Sequence, residues 1–160
     1  MAHRTLREAV RCYRIGDKGG AYPIFSGDGA KLYPGRWNDV GQAMIYASQR
    51  YSTALLELLV YLTTPPPNQH FIEIEAPRGI SYEELNEARV PGWYEANKMK
   101  ARAFGAQWFD ECRSCLLFAP SVVARIDMNI LINPAHPDFR LLKVSREKPI
   151  WWDERLFGKT

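Results

Sequence analysis

The 160-residue sequence predicts a single α+β domain. The length suits one domain, since domains typically hold about 100–150 residues. Apolar runs of strand length are interspersed with a few segments of helix length. No internal repeat, low-complexity tract or linker divides the chain, so the expected domain is 1–160 with a core of about 12–156. The composition, 46% hydrophobic and 24% charged, is ordinary for a soluble globular protein and excludes a disordered one.

Taken in order, Arg11–Gly16 (RCYRIG) reads as a short strand ending at a glycine. Asp17–Gly41 holds six glycines and two prolines and reads as a long loop region. Tyr22, Phe25, Tyr33 and Trp37 argue that this loop is structured, because such aromatics need something to pack on. Met44–Ala47 is a short strand. Ser48–Leu62 is the clearest helix, apolar on nearly every face and ended by Pro65–Pro67. Gln69–Ala76 alternates as a half-buried strand. Ser81–Glu87 is expected as a short helix and Ala101–Cys112 as a longer one. Ser114–Ala119 and Val122–Ile126 are strand-length apolar runs, and Ile130–Ile132 adds a little pairing. Asn133–Pro137 has turn chemistry, and Leu141–Val144 is the last expected strand.

The net charge is +3 and the isoelectric point about 8.8, with lysine and arginine scattered and no run of like charges. That balance favours an anionic small molecule as much as a nucleic acid. The longest apolar stretch, Ala54–Leu62, is too short to span a bilayer and is interrupted by Glu57. Residues Met1–Arg11 lack the apolar core of a signal peptide, so the cytoplasm is the expected compartment.

Glu57 is the only charged residue between Arg50 and His70, inside an otherwise apolar helix. An ionised carboxylate buried without partners costs several kcal/mol. Such a residue either faces solvent or is supplied with donors, and the sequence leaves both open. Arg36 lies in PGRWND, where a planar fork suits diphosphate recognition and Gly35 permits close backbone approach. A surface arginine in a loop fits the same residues. Ser121, between Pro120 and a Val-Val pair, sits at an expected strand entrance and lacks a hydrolase elbow. Cys112 and Cys115 have metal-site spacing but no accompanying ligands, so no metal is expected. His136 sits in a proline-flanked turn, which suits turn-stabilising hydrogen bonding more than a catalytic role, and the sequence leaves both open. Tyr13 and Tyr46 read as strand aromatics with a wet hydroxyl.

Together these segments resemble the RES domain, named for its Arg, Glu and Ser. The resemblance rests on CYRIG at 12–16, SGDGAKLYPGRWNDVG at 26–41 and MIYASQRYSTALLELLVYL at 44–62. It continues through FAPSVVARIDMNILINPAHPDF at 118–139 and IWWDERL at 150–156. It implies a diphtheria-type ADP-ribosyltransferase-like fold, with a split β core around an NAD⁺ cleft. It also implies a bacterial toxin held in check by a cognate antitoxin with an Xre-like helix-turn-helix domain. The implied reaction breaks NAD⁺ at the nicotinamide–ribose bond. The ADP-ribose then passes to water, to phosphate or to a protein target such as phosphoribosyl pyrophosphate synthetase.

By the same resemblance Arg36, Glu57 and Tyr46 are the expected catalytic residues, and Arg14, Arg36, Tyr46 and Ser121 the expected NAD⁺-binding ones. One departure is that Pro34 stands where the family pattern has a glycine. Bond cleavage through an oxocarbenium-like state calls for a carboxylate near the ribose and a fixed arginine to orient the substrate. Two rival readings are a nucleic-acid-binding or RNA-cleaving toxin, suggested by the basic charge and by Trp93, Trp151 and Trp152, and a non-catalytic interaction module. No basic run or nucleic-acid motif supports the first.

Overall fold

A computed structural model describes residues 4–158. In chain order it contains β1 (Arg4–Thr5), β2 (Val10–Asp17), α1 (Asp28–Leu32), β3 (Ile45–Ser48), α2 (Tyr51–Leu59) and β4 (Gln69–Ala76). Then follow β5 (Ser81–Glu84), α3 (Met99–Asp110), β6 (Leu116–Pro120), β7 (Met128–Ile132), β8 (Lys143–Val144) and β9 (Lys148–Pro149). The strands form one hydrogen-bonded path, β1-β5-β6-β7-β3-β2-β4-β8, with β9 also on β4. This is the expected α+β architecture.

The path has a weak point that the site exploits. β2 pairs with β4 along its whole length, from Val10↔Ala76 to Asp17↔Gln69. β3 pairs with β7 from Ile45↔Ile132 to Ser48↔Asn129. Between these two half-sheets, β2 and β3 meet only at Tyr13↔Ser48. The split in the β core is this seam.

Alternate strand residues enter two separate cores, as a two-residue period requires. Ile45, Leu116, Ile130 and Ile132 join Cys12, Ile72 and Ile74 on one face. Met44, Leu117, Ala119 and Leu131 join Trp37, Trp93 and α3 residues Ala101 and Trp108 on the other. Coverage of both faces explains why residues 116–119 of β6 and 130–132 of β7 are apolar without alternation.

Several elements depart from expectation: α1 lies inside the expected loop, and the expected strand Leu141–Val144 is a strand only at Lys143–Val144, Leu141 ending a 3-10 turn. Ser81–Glu87 is not a helix: Ser81–Glu84 is strand β5, parallel to β6, followed by a 3-10 turn at Glu87–Arg89. Long-range pairing with Leu116–Phe118 overrides the local preference. Val122–Ile126 is a loop, turned by the Ala124 amide bonding to Ser121 Oγ at 3.0 Å, and Ile126 is 97% exposed. Ile130–Ile132 belongs instead to a central strand, β7. Helix α2 stops at Leu59, well short of the prolines, and buries only Thr53 and Ala54. Leu56 and, just past the helix, Val60 and Tyr61 remain exposed, while Ala54 and Leu58 of the helix line a cavity together with Tyr61. No helix among the described residues is long and apolar enough to cross a membrane.

Candidate active site

Beyond Tyr13↔Ser48 the two half-sheets diverge, and the side chain of Arg14 fills the gap. Its Nη1 donates to the Tyr46 carbonyl at 2.8 Å, Nε to Ile24 O at 2.6 Å and Nη2 to Ser26 O at 3.3 Å. Carbonyls that lack a ladder partner must be satisfied otherwise when buried, and Arg14 does this for the β3 edge. Burial pushes the Arg14 guanidinium down to about 10.

Tyr46 ties the opposite wall to the Gly35–Asn38 loop. Its hydroxyl donates to Asn38 Oδ1 at 2.7 Å and accepts from the Trp37 amide at 2.9 Å. The same Oδ1 accepts from the Gly35 amide at 2.8 Å, and Asn38 is completely buried. Burial holds the Tyr46 phenol far above its usual range, so it stays a neutral strut. The loop passes so close that a Cβ at Gly35 would lie 2.7 Å from Tyr46 Cζ and Oη. Helix α3 supports the loop from behind: Arg102 Nη2 donates to Gly35 O at 2.9 Å, and a Cβ at Gly105 would stand 1.9 Å from Trp37 O. Arg36 is thereby aimed, and its Nη1 donates to Trp93 O at 3.0 Å and Glu95 O at 2.7 Å. Partial burial lowers its pKa, an effect that Tyr61 and Glu57 oppose.

Glu57 projects from α2 and is supplied with donors. Its Oε1 accepts from Ser121 Oγ at 2.6 Å and from Asn129 Nδ2 at 2.8 Å, whereas Oε2 takes no such bond among the described residues. Asn129 is itself pinned, its Oδ1 accepting from Ser48 Oγ at 2.7 Å. The start of α2 is fastened to the same region by Thr53 Oγ1 donating to Asp127 Oδ2 at 2.7 Å and by an Arg50–Asp127 ion pair at 3.3 Å. The choice left open by the sequence is thus resolved: Glu57 is half-buried and hydrogen-bonded.

Two cavities meet at this carboxylate. The smaller, about 220 Å³, lies on the seam between Tyr13–Ile15 and Tyr46–Ser48. The larger, about 500 Å³, is bordered by Arg36, Val60, Lys98 and Val122. Tyr46, Glu57, Tyr61 and Asn129 line both. The result is a two-lobed cleft with a carboxylate at its waist and a guanidinium in one lobe.

Arg14, Arg36, Tyr46 and Glu57 therefore come together, while Ser121 is wholly buried behind Glu57. Asn129, Asn38 and Tyr61 were not anticipated. Asn129 left a faint signal as a polar residue in an apolar strand. His136 caps a 3-10 turn by accepting from the Asp138 amide at 3.0 Å. Cys12, Cys112 and Cys115 are free thiols, and no group of three or more potential metal ligands occurs among the described residues. Of the tryptophans that suggested a nucleic-acid reading, Trp93 is only 3% exposed and packs on Trp37, while Trp151 is 79% exposed.

A family model described as the RES domain matches residues 11–153. A Prs ADP-ribosylating toxin of Sphingobium sp. (strain YBL2) is 39% identical over 140 residues, covering 84% of this chain and 87% of that protein. Toxin Res of Pseudomonas putida is 34% identical over 141 residues, covering 86% of this chain and 95% of its own. Among solved structures, a chain of the M. tuberculosis MbcT–MbcA toxin–antitoxin complex aligns with a TM-score of 0.70. That alignment covers 89% of this chain and 85% of that one at 15% identity, a likeness of fold.

Proposed function

The chain belongs to the RES-domain family, and from that premise we propose that it is the toxin of a toxin–antitoxin pair that cleaves NAD⁺ at the nicotinamide–ribose bond. The observation that carries this reading is Glu57 at the waist of the two-lobed cleft, one oxygen fixed by Ser121 and Asn129. NAD⁺ has an aromatic cation at one end, a diphosphate further along and a ribose bond to break between them. The smaller lobe takes the nicotinamide, and Arg14 and Tyr46 wall it. The larger lobe takes the diphosphate against Arg36.

Glu57 then accepts a ribose hydroxyl through Oε2 and stabilises the positive charge that grows on the sugar as nicotinamide leaves. Arg36, held by two carbonyls, converts phosphate binding into orientation of the scissile bond. Tyr46 acts chiefly by holding the Arg36 loop, because its hydroxyl is already committed at both ends. Ser121, first expected to bind NAD⁺ directly, acts through Glu57. The name of the Sphingobium relative makes a protein acceptor the first to test, with water and phosphate as the other acceptors.

The partner is a cognate antitoxin of the Xre-like kind. A segment of it that fills the cleft would present a carboxylate to Arg36 rather than to Arg14, whose guanidinium is engaged by three carbonyls.

Free nicotinamide released from NAD⁺ tests the proposal. Glu57→Gln retains an acceptor for both Ser121 and Asn129 while removing the charge. It should lower turnover by about a hundredfold or more, the scale of losing one preorganised electrostatic contact. Turnover within about twofold of the parent would reject Glu57 as the charge stabiliser, and a parent chain that releases no nicotinamide would reject the reaction.

A further inference from the structure

We propose that Arg125 is a second phosphate-binding residue of the larger lobe, paired with Arg36 to grip the diphosphate of the substrate. This rests on the NAD⁺-cleaving reading and assigns a residue that neither the motifs nor the cavity walls single out.

Arg125 lies on the β6–β7 loop, two residues after Val123, which with Val122 lines the larger lobe. Although exposed, it is held in one direction. Its Nε donates to Val122 O at 2.8 Å, and its guanidinium carbon stands 5.4 Å from the Trp93 ring centre and 5.0 Å from that of Tyr94. Those two rings meet at 87°, forming a corner that receives the guanidinium. Contacts of this kind favour arginine over lysine.

Trp93 therefore organises two arginines at once. Its carbonyl accepts from Arg36, and its ring stacks against Arg125. The two cations lie near enough for Arg125 to help lower the Arg36 pKa. Lys98 adds a third positive side chain to the lobe. Among the described residues no carboxylate forms an ion pair with any of the three. The nearby acids are otherwise engaged, Glu87 by the Trp93 indole at 2.9 Å and Glu95 by Lys100 at 3.2 Å.

Glu57, at the far edge of the lobe, is the carboxylate whose charge acts on Arg36, and it leaves the cations in excess. Like charges held together repel, and a fixed pair of forks suits a polyanion with adjacent phosphate groups. A diphosphate offers one group to Arg36 and the next to Arg125. Nicotinamide and its riboside lack that group and should be indifferent to Arg125.

The test compares ADP-ribose, inorganic phosphate and nicotinamide as calorimetric ligands, with NAD⁺ turnover, for the parent, Arg125→Gln and Arg125→Lys. Arg125→Gln should weaken ADP-ribose about tenfold or more, raise KM for NAD⁺ similarly, leave kcat within about twofold and flatten the salt dependence of KM. Arg125→Lys should recover only part of the loss, and nicotinamide binding should not change. Equal ADP-ribose affinity in parent and Arg125→Gln would overturn the assignment while leaving the proposed reaction standing. Weakened inorganic phosphate with unchanged ADP-ribose would likewise overturn it, moving Arg125 to a separate phosphate. A parent that neither binds ADP-ribose nor cleaves NAD⁺ would overturn both.

Discussion

Replacing Ser121 with alanine isolates how much of the carboxylate's function lies in its fixation. The hydroxyl donates to Glu57 Oε1 at 2.6 Å and accepts from the Ala124 amide at 3.0 Å. The first contact has the length of a charge-assisted O–H···O⁻ bond, a class that contributes about 1.5–3 kcal/mol. Asn129 still holds the same oxygen, so Glu57 is loosened rather than released. If that fixation is realised as stabilisation of the transition state and not of the bound substrate, its loss lowers kcat about 10- to 100-fold, at 1.4 kcal/mol per decade. Loss of the hydroxyl also strands the Ala124 amide. At about 1–3 kcal/mol, and roughly 2–4 °C per kcal/mol for a chain of this size, Tm should fall by about 2–12 °C. Nicotinamide release at saturating NAD⁺ gives kcat, and a thermal melt gives the stability change. KM should barely move, because Ser121 is completely buried. A variant with unchanged kcat and a raised KM would refute the positioning role and return Ser121 to direct ligand contact.

Two further substitutions probe the loop that carries the arginine. Arg36→Lys should raise KM for NAD⁺ about tenfold or more, since one ammonium cannot both hold the Trp93 and Glu95 carbonyls and present a fork to phosphate. Steady-state kinetics with unchanged KM would remove Arg36 from the binding site. Gly105→Ala should cost about 1–3 kcal/mol or more in urea unfolding and weaken NAD⁺ binding, because its Cβ would lie 1.9 Å from Trp37 O, one residue from Arg36. A stable variant with the parent's affinity would show that α3 does not set the loop's position.

Much of the fold was legible where one residue sees one environment. The alternation of Gln69–Ala76 matches a strand with Ile72, Ile74 and Ala76 buried on one face. Strand β5 was not legible, because Ser-Tyr-Glu-Glu carries no strand pattern and its parallel partner, β6, lies beyond α3. The Val122–Ile126 run misled in the other direction: β-branched residues suggested pairing, but a serine-capped turn and the walls of a cleft account for them. In the site, Glu57 stood out by its isolation and Arg36 by its Gly-Arg-Trp-Asn setting. Asn129 and Asn38 did not, since an amide in a strand or loop acquires meaning only from the group it faces. Ser121 was visible as a motif residue, but the direction of its hydroxyl is a property of the folded loop.

The donors that brace Glu57 also set when in the life of the chain it can act. Ser121 and Asn129 follow it by 64 and 72 residues. A nascent polypeptide that has made α2 but not β7 holds a glutamate with neither brace. At about 5–20 residues per second, that gap alone takes the ribosome roughly 4–14 s. Local helix formation is over within microseconds, so the delay is set by synthesis and by closing a long loop. If the chain spends NAD⁺ as proposed, the hazard is postponed until β7 has been made, and an antitoxin gains an interval in which to be waiting.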